Sequence, residues 1–228
     1  MRAARLRAAS VLAFACAVAF PAAAQASAWT ATVLEPAYAR AHPDRGATLD
    51  HVGRYAPHWG GPNVLLVLDT ATVDGRDYVK VLLKRMPASS AGWIEADHVK
   101  LARTTRRIVV DLSDRSVTLR QSGRAILKTR AVVGAPATPT PVGQFAVDAP
   151  VDQPKRGLLG PRVLAMAAYS RALARYQGGI PQVAFHAYEK LGARLGTASS
   201  HGCIRIPQPA LTRLLRLAPR GTPVLIRR

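Results

Sequence analysis

The run SSHGCIRI, Ser199 to Ile206, sets two hydroxyls, an imidazole, a glycine and a thiol at five adjacent positions and places the cation of Arg205 two residues further on. A catalytic thiol needs deprotonation near neutral pH, a base, a group that orients the base, and donors for an oxyanion. A free cysteine titrates near about 8.5, and a neighbouring imidazole can lower that value. Two histidines are candidates. His201 stands two residues before Cys203, so on a strand both side chains share a face. His186 ends the apolar run in PQVAFHAYEKLG, 17 residues upstream of Cys203, where a strand end can fold back against the thiol. Gly202 lets a carbonyl approach the main chain, and the amides of Gly202 and Cys203 are candidate oxyanion donors. Ser199 and Ser200 can hold His201 or cap the turn. Arg205 can take a carboxylate bidentately, and it is grouped with Ser200 as a candidate substrate-binding residue. Spacing alone leaves three uses of Cys203 open: nucleophile, structural thiol, or zinc ligand. Zinc is the poorest fit because it wants at least three protein ligands, and no metal is expected.

The elements that must position these groups are mostly strands. In the first half, VLLVLDT and DYVKVLL flank an Asp74-Gly75 hairpin signal, and Gly92 precedes WIEADHVKL. Short strands with Gly, Pro and Asp turns predict a small β-barrel over residues 29–102. His42, His51, His58 and His98 show no metal-ligand spacing and are read as surface or core histidines. The second half, 106–228, opens with RRIVVDL, SVTLR and AILKTRAVVG, separated by turns at 113–115 and 121–123. Pro136, Pro139 and Pro141 then force a loop, and a strand begins at Gln144. The stretch PRVLAMAAYSRALARY, from Pro161 to Tyr176, predicts a helix. After Pro207, Leu211, Leu214, Leu215 and Ala218 recur at helical spacing, and GTPVLIRR predicts a terminal strand.

The chain opens with three arginines, an apolar run from Ala8 to Phe20 and small residues through Ala24-Gln25-Ala26, the pattern of a secretory signal peptide over residues 1–26. That run is shorter than the roughly 20 residues of a spanning helix, so no stable membrane insertion is expected after cleavage. Cys16 leaves with the signal, since Ala13 stands where a lipobox wants a larger aliphatic. Cys203 is then the one remaining thiol, and an exported protein with a lone cysteine carries it for another chain or for reactivity. The destination expected is the periplasm or the extracellular wall space.

Charge divides the chain in two. Residues 27–105 carry a net +1 and residues 106–228 a net +15, which places a domain boundary near 102–106. Such a field attracts polyanions or reflects an arginine-rich surface. Nucleic acid is disfavoured by the export signal and by an aromatic content of 6%. Acidic wall polymer is the better partner.

Two resemblances sharpen this reading. YVKVLL followed by AGWIEADHVKL resembles the bacterial SH3-like domains of secreted wall-associated proteins. VVGAPATPTPVGQF, then FHAYEKLG, then SSHGCIRI, a helix and GTPVLI together resemble the L,D-transpeptidase catalytic domain, in the same order, across residues 106–227. The resemblance implies a β-rich catalytic fold in which a cysteine attacks a peptidoglycan stem peptide ahead of its terminal D-alanine. Cys203 matches the nucleophile, His186 the general base, His201 and Gly202 the signature around the nucleophile, and Arg205 the basic position after it. Ala187 follows the base where a glycine is common; the family's orienting group is a main-chain carbonyl, so the chemistry is expected to survive. No cofactor or metal is implied. The expected architecture is mainly β with minor α, in a monomer. The competing functions are a wall amidase or peptidase using the same cysteine with water, and a non-catalytic wall-binding protein. A cover over the cleft is expected between Gly157 and Ile180.

Overall fold

The computed structural model describes residues 27–154, 157–176 and 178–228. The export-signal reading therefore lies outside the described residues. Seven strands come first: β1 (Ala28–Val33), β2 (Ala37–Arg40), β3 (Thr48–Val52), β4 (Val64–Val73), β5 (Arg76–Leu82), β6 (Ala91–Glu95) and β7 (Val99–Thr104). They form one barrel-like sheet in the order β3-β2-β6-β5-β4-β1-β7 around a core that includes Ala31, Leu65, Val81, Leu83 and Ile94. Asp74 and Gly75 join β4 to β5 with positive φ at both positions, 49° and 75°, as the tightest hairpin turns require.

The chain then continues through β8 (Arg106–Asp111), β9 (Ser116–Gln121), β10 (Arg124–Arg130), β11 (Val133–Gly134), β12 (Gly143–Asp152), β13 (Arg162–Tyr169), β14 (Gln182–Ala187), β15 (Ala198–Ser200), β16 (Ile204–Ile206), α1 (Gln208–Leu217) and β17 (Pro223–Arg227). Eight of these strands form a mixed sheet in the order β10-β9-β8-β17-β12-β13-β14-β16, while β11 and β15 pair in parallel beside it. The mainly β expectation holds, and α1 stands where the leucine spacing put it, burying Ala210, Leu211 and Leu214.

The helix expected over Pro161 to Tyr176 is instead strand β13, central in the sheet. Its seven residues from Val163 to Tyr169 are all buried. A continuous apolar run fits a strand covered on both faces as well as a helix, and apolar pattern alone does not separate them. Both covers are visible. Leu164, Met166 and Ala168 join Phe145, Val147, Val183 and Phe185 in the core that includes Leu211 and Leu214 of α1. Ala146 and Ala167, on the opposite face, pack against Leu66 and Leu82 of the barrel.

A polar clamp reinforces that second contact. Asp148 of β12 is fully buried, and its Oδ1 lies 2.7 Å from Nζ of the barrel's Lys84. Its Oδ2 accepts from Gln182 Nε2 at 2.9 Å, and its carbonyl accepts from Arg220 at 2.8 Å. Burial pushes the Lys84 ammonium below its ordinary pKa; attraction to Asp148 works against that shift, and Arg220 adds to it. Removing one partner of such a pair leaves an uncompensated buried charge. Asp148→Ala should therefore lower the stability of the fold by about 3–5 kcal/mol, whereas the paired change Asp148→Leu with Lys84→Met should recover most of it. Chemical denaturation of the three proteins checks this, with equal losses in the single and double variants as the contrary result.

Candidate active site

Strand β14 has two faces with different tasks. Val183, Phe185 and Ala187 point into the core beneath α1, while Gln182, Ala184 and His186 line a cavity of about 210 Å³ on the other side. Strand β16 runs parallel to it, with Ile204 opposite Phe185 and Arg205 opposite His186. Cys203, immediately before β16, thereby reaches the same cavity, where the Ala184 amide donates a hydrogen bond to its sulfur. His186, His201, Cys203 and Arg205 all line this one space.

His186 is almost fully buried, and its Nδ1 lies 2.8 Å from the carbonyl oxygen of Ala187. A carbonyl only accepts, so Nδ1 carries the proton and Nε2 is left with its lone pair. The alanine after the base thus keeps the orienting main-chain contact.

The turn before the cysteine is built differently from its sequence reading. His201 and Gly202 form a bend between β15 and β16, so His201 and Cys203 do not share a strand face. His201 is exposed, with its ring centroid 5.9 Å from that of Tyr176. The Ser200 hydroxyl is engaged within the turn, donating to the Cys203 carbonyl at 2.6 Å and accepting from the Gly202 amide at 3.1 Å. That same contact gives the Gly202 amide a partner inside the turn. What Gly202 supplies is a φ of +111°, a conformation that side-chain-bearing residues rarely adopt.

Thr138 and Thr140 complete the support and were not singled out in the sequence. Thr138 Oγ1 donates to the Ser200 carbonyl at 3.0 Å, and the buried Thr140 Oγ1 donates to the Gly202 carbonyl at 2.9 Å while accepting from Gly134 N. Their one available signal was a pair of threonines alternating with prolines, where local backbone partners are scarce. The expected cover also resolves into two loops, because its middle is the core strand β13. Leu159 stands on one side of that strand, and Ser170, Leu173, Tyr176 and Ile180 stand on the other. Trp59, from the barrel, lines the cavity as well. In the barrel, half-buried His98 and Glu95 stand with exposed Asp97, their ligand atoms within 4.8 Å of one another, although His98 Nδ1 is already engaged with the Pro36 carbonyl.

Burial dominates the electrostatics. It lowers the His186 pKa to about 4, against the hydrogen bond to Ala187, with the Arg205 charge adding to the fall. It also pushes the Cys203 thiol up, while the Ala184 amide and then Arg205 act in the opposite direction. Both shifts favour the uncharged forms, a neutral imidazole and a neutral thiol lining one cavity, over an ion pair. Alkylation of Cys203 by iodoacetamide should accordingly rise with pH through a midpoint above the ordinary cysteine value, with no inflection near 6.5. Arg205→Met should move that midpoint higher still. A midpoint below 7 would contradict the electrostatic picture.

With this geometry in place, the comparisons are direct. Residues 105–226 match the YkuD family of L,D-transpeptidase catalytic domains, and the chain belongs to that family. It is similar to an Enterococcus faecium L,D-transpeptidase mutant at 26% identity over 54% of this chain and 49% of that one, with a TM-score of 0.39. It is also similar to an L,D-transpeptidase from Mycobacterium smegmatis at 16% identity over 72% of this chain and 99% of that one, TM-score 0.42, and to one from Mycobacterium tuberculosis at 17% identity over 73% and 90%, TM-score 0.43. The chain spans about half the length of the enterococcal protein. Comparison with curated proteins finds no match. Among the described residues no helix is long and apolar enough to cross a membrane.

Proposed function

We propose that this chain is an exported peptidoglycan L,D-transpeptidase in which Cys203 is the nucleophile and His186 the general base. The observation that carries the reading is the single cavity holding Cys203 and the bare Nε2 of a carbonyl-oriented His186, within a chain of the YkuD family. Nε2 takes the thiol proton as sulfur attacks the carbonyl ahead of a terminal D-alanine. The S–C bond forms, the C–N bond breaks, and His186 gives the proton to the leaving amine. An acceptor amine then attacks the thioester carbonyl; its surplus proton passes through His186 to sulfur and frees the enzyme.

The supporting groups divide this work. With the Gly202 amide held by Ser200, oxyanion donation falls to the amide of Cys203. Arg205 has a buried Nε with no partner among the described residues, which suits it to hold a substrate carboxylate. The many apolar side chains around the cavity favour an amine over water as the group that resolves the thioester. An SH3-like role for the barrel and steering by the +15 catalytic half both fit a wall polymer substrate.

Incubation of residues 27–228 with a disaccharide-tetrapeptide should release D-alanine and yield a cross-linked dimer by mass. Cys203→Ser should reduce turnover below about 1% of the parent, and His186→Ala should cost about 10²–10⁴ in rate. Release of D-alanine at an unchanged rate by Cys203→Ser would remove the assignment.

A further inference from the structure

Trp59 is the one barrel residue among those lining the catalytic cavity. Its position is fixed. The loop that carries it closes on itself, with the Ala56 amide donating to the Gly61 carbonyl at 3.0 Å and the Gly60 amide to the Ala56 carbonyl at 3.1 Å. A side chain at Gly61 would come within 2.9 Å of Arg220, so the loop is fitted to the catalytic half. The indole Nε1 donates to Gln182 Oε1 at 2.6 Å, and Gln182 Nε2 is tied in turn to Asp148 Oδ2 and the Met166 carbonyl. The N–H of Trp59 is thereby used up, yet the residue remains 42% exposed. What it offers a ligand is an immobilised ring face.

The surroundings narrow what that face can take. His186 is 3% exposed, whereas Trp59, Tyr176 and Ile180 are each about two-fifths exposed and His201 is exposed beside Tyr176, so these four form the mouth and His186 lies in the interior. Ile180 also lines a second cavity of about 400 Å³ at the junction with the barrel, together with Tyr55, His58 and Tyr169. Of the charged residues of that second cavity, Lys84 pairs with Asp148, while Arg85 donates to the carbonyls of Leu49 and Met86 and Asp50 accepts from the His51 amide, main-chain contacts in which both keep their charges. Aromatic ring faces suit the C–H face of a sugar; a carboxylate would find its partner at Arg205 instead.

We propose that Trp59 forms a saccharide subsite at the mouth of the catalytic cavity, so that the barrel recognises the sugar carrying the stem peptide while the cleft holds the peptide. This deepens the transpeptidase reading and rests on it for the identity of the substrate. In the proposed reaction the scissile bond lies at one end of the stem peptide and the sugar at the other. A cavity with the nucleophile inside and an aromatic face at its mouth matches that polarity.

Two measurements test it. The first follows the indole N–H signal of Trp59 by NMR in the Cys203→Ser protein, identified by its loss in Trp59→Phe, as peptide-free wall disaccharide is added. A saturable shift is expected; no shift at millimolar sugar overturns the subsite whether or not the enzyme turns over. The second compares a disaccharide-tetrapeptide with the free tetrapeptide. Trp59→Ala should lower kcat/KM for the former about tenfold, through KM, and leave the latter within about twofold, while Trp59→Phe keeps most of the preference. Equal losses on both substrates, or Phe as harmful as Ala, would make Trp59 only a brace for Gln182. Iodoacetamide labelling of Cys203 at the parental rate shows that each variant keeps its site. A parent protein that turns over neither substrate would count against the transpeptidase reading, and the NMR shift would still decide the subsite.

Discussion

Strands β12, β13 and β14 share one face packed on the core, and the site follows from how their other face is divided. One face is filled by α1 and the core beneath it. The other is divided between the barrel, which covers Ala146 and Ala167, and the cavity, which takes Gln182, Ala184 and His186. Because strand side chains alternate strictly, β14 can anchor the core with every odd residue and present chemistry with every even one. The barrel is thus no separate attachment. It closes the part of the sheet that would otherwise be wet, and Trp59 extends that closure to the edge of the reacting groups.

Burial moves both protonation states toward neutrality. A buried imidazole is cheaper neutral than charged, and so is a buried thiol. The local hydrogen bonds resist this only in part: Ala187 favours a protonated His186 and Ala184 favours a thiolate, yet burial outweighs both. In the proposed reaction a neutral pair means that the thiolate forms by proton transfer during attack and is not displayed to oxidants beforehand. Arg205 lowers both pKa values, which makes Nε2 a bare acceptor and the thiol a better donor to it.

The sequence was most legible where chemistry is local. The adjacency of His201, Gly202, Cys203 and Arg205, the apolar run ending in His186, and the order of motifs sufficed for the family and for a mainly β fold. Legibility failed where tertiary burial decided the outcome. VLAMAAY reads as a helix because nothing in its own composition says that the barrel will cover one face and α1 the other. The hydrogen bonds of Ser200 and Gly202 close a turn pinned by Thr138 and Thr140, 62 positions away, a long-range support that the local motif does not announce. Trp59 and Gln182 lie 123 positions apart and meet only when two sheets dock. The hairpin turns at Asp74-Gly75 and Ser122-Gly123, by contrast, depend on backbone freedom at adjacent residues and were readable from those residues.

A buried His186 held neutral and singly oriented is the central claim, and NMR of ring-¹⁵N-labelled protein observes that state directly. The His186 nitrogens should show a proton on Nδ1 and none on Nε2 from neutral pH downward, with protonation setting in only near pH 4. An imidazolium at His186 persisting above pH 6 would mean that a thiolate–imidazolium pair is the resting state and that burial does not govern the chemistry of this site.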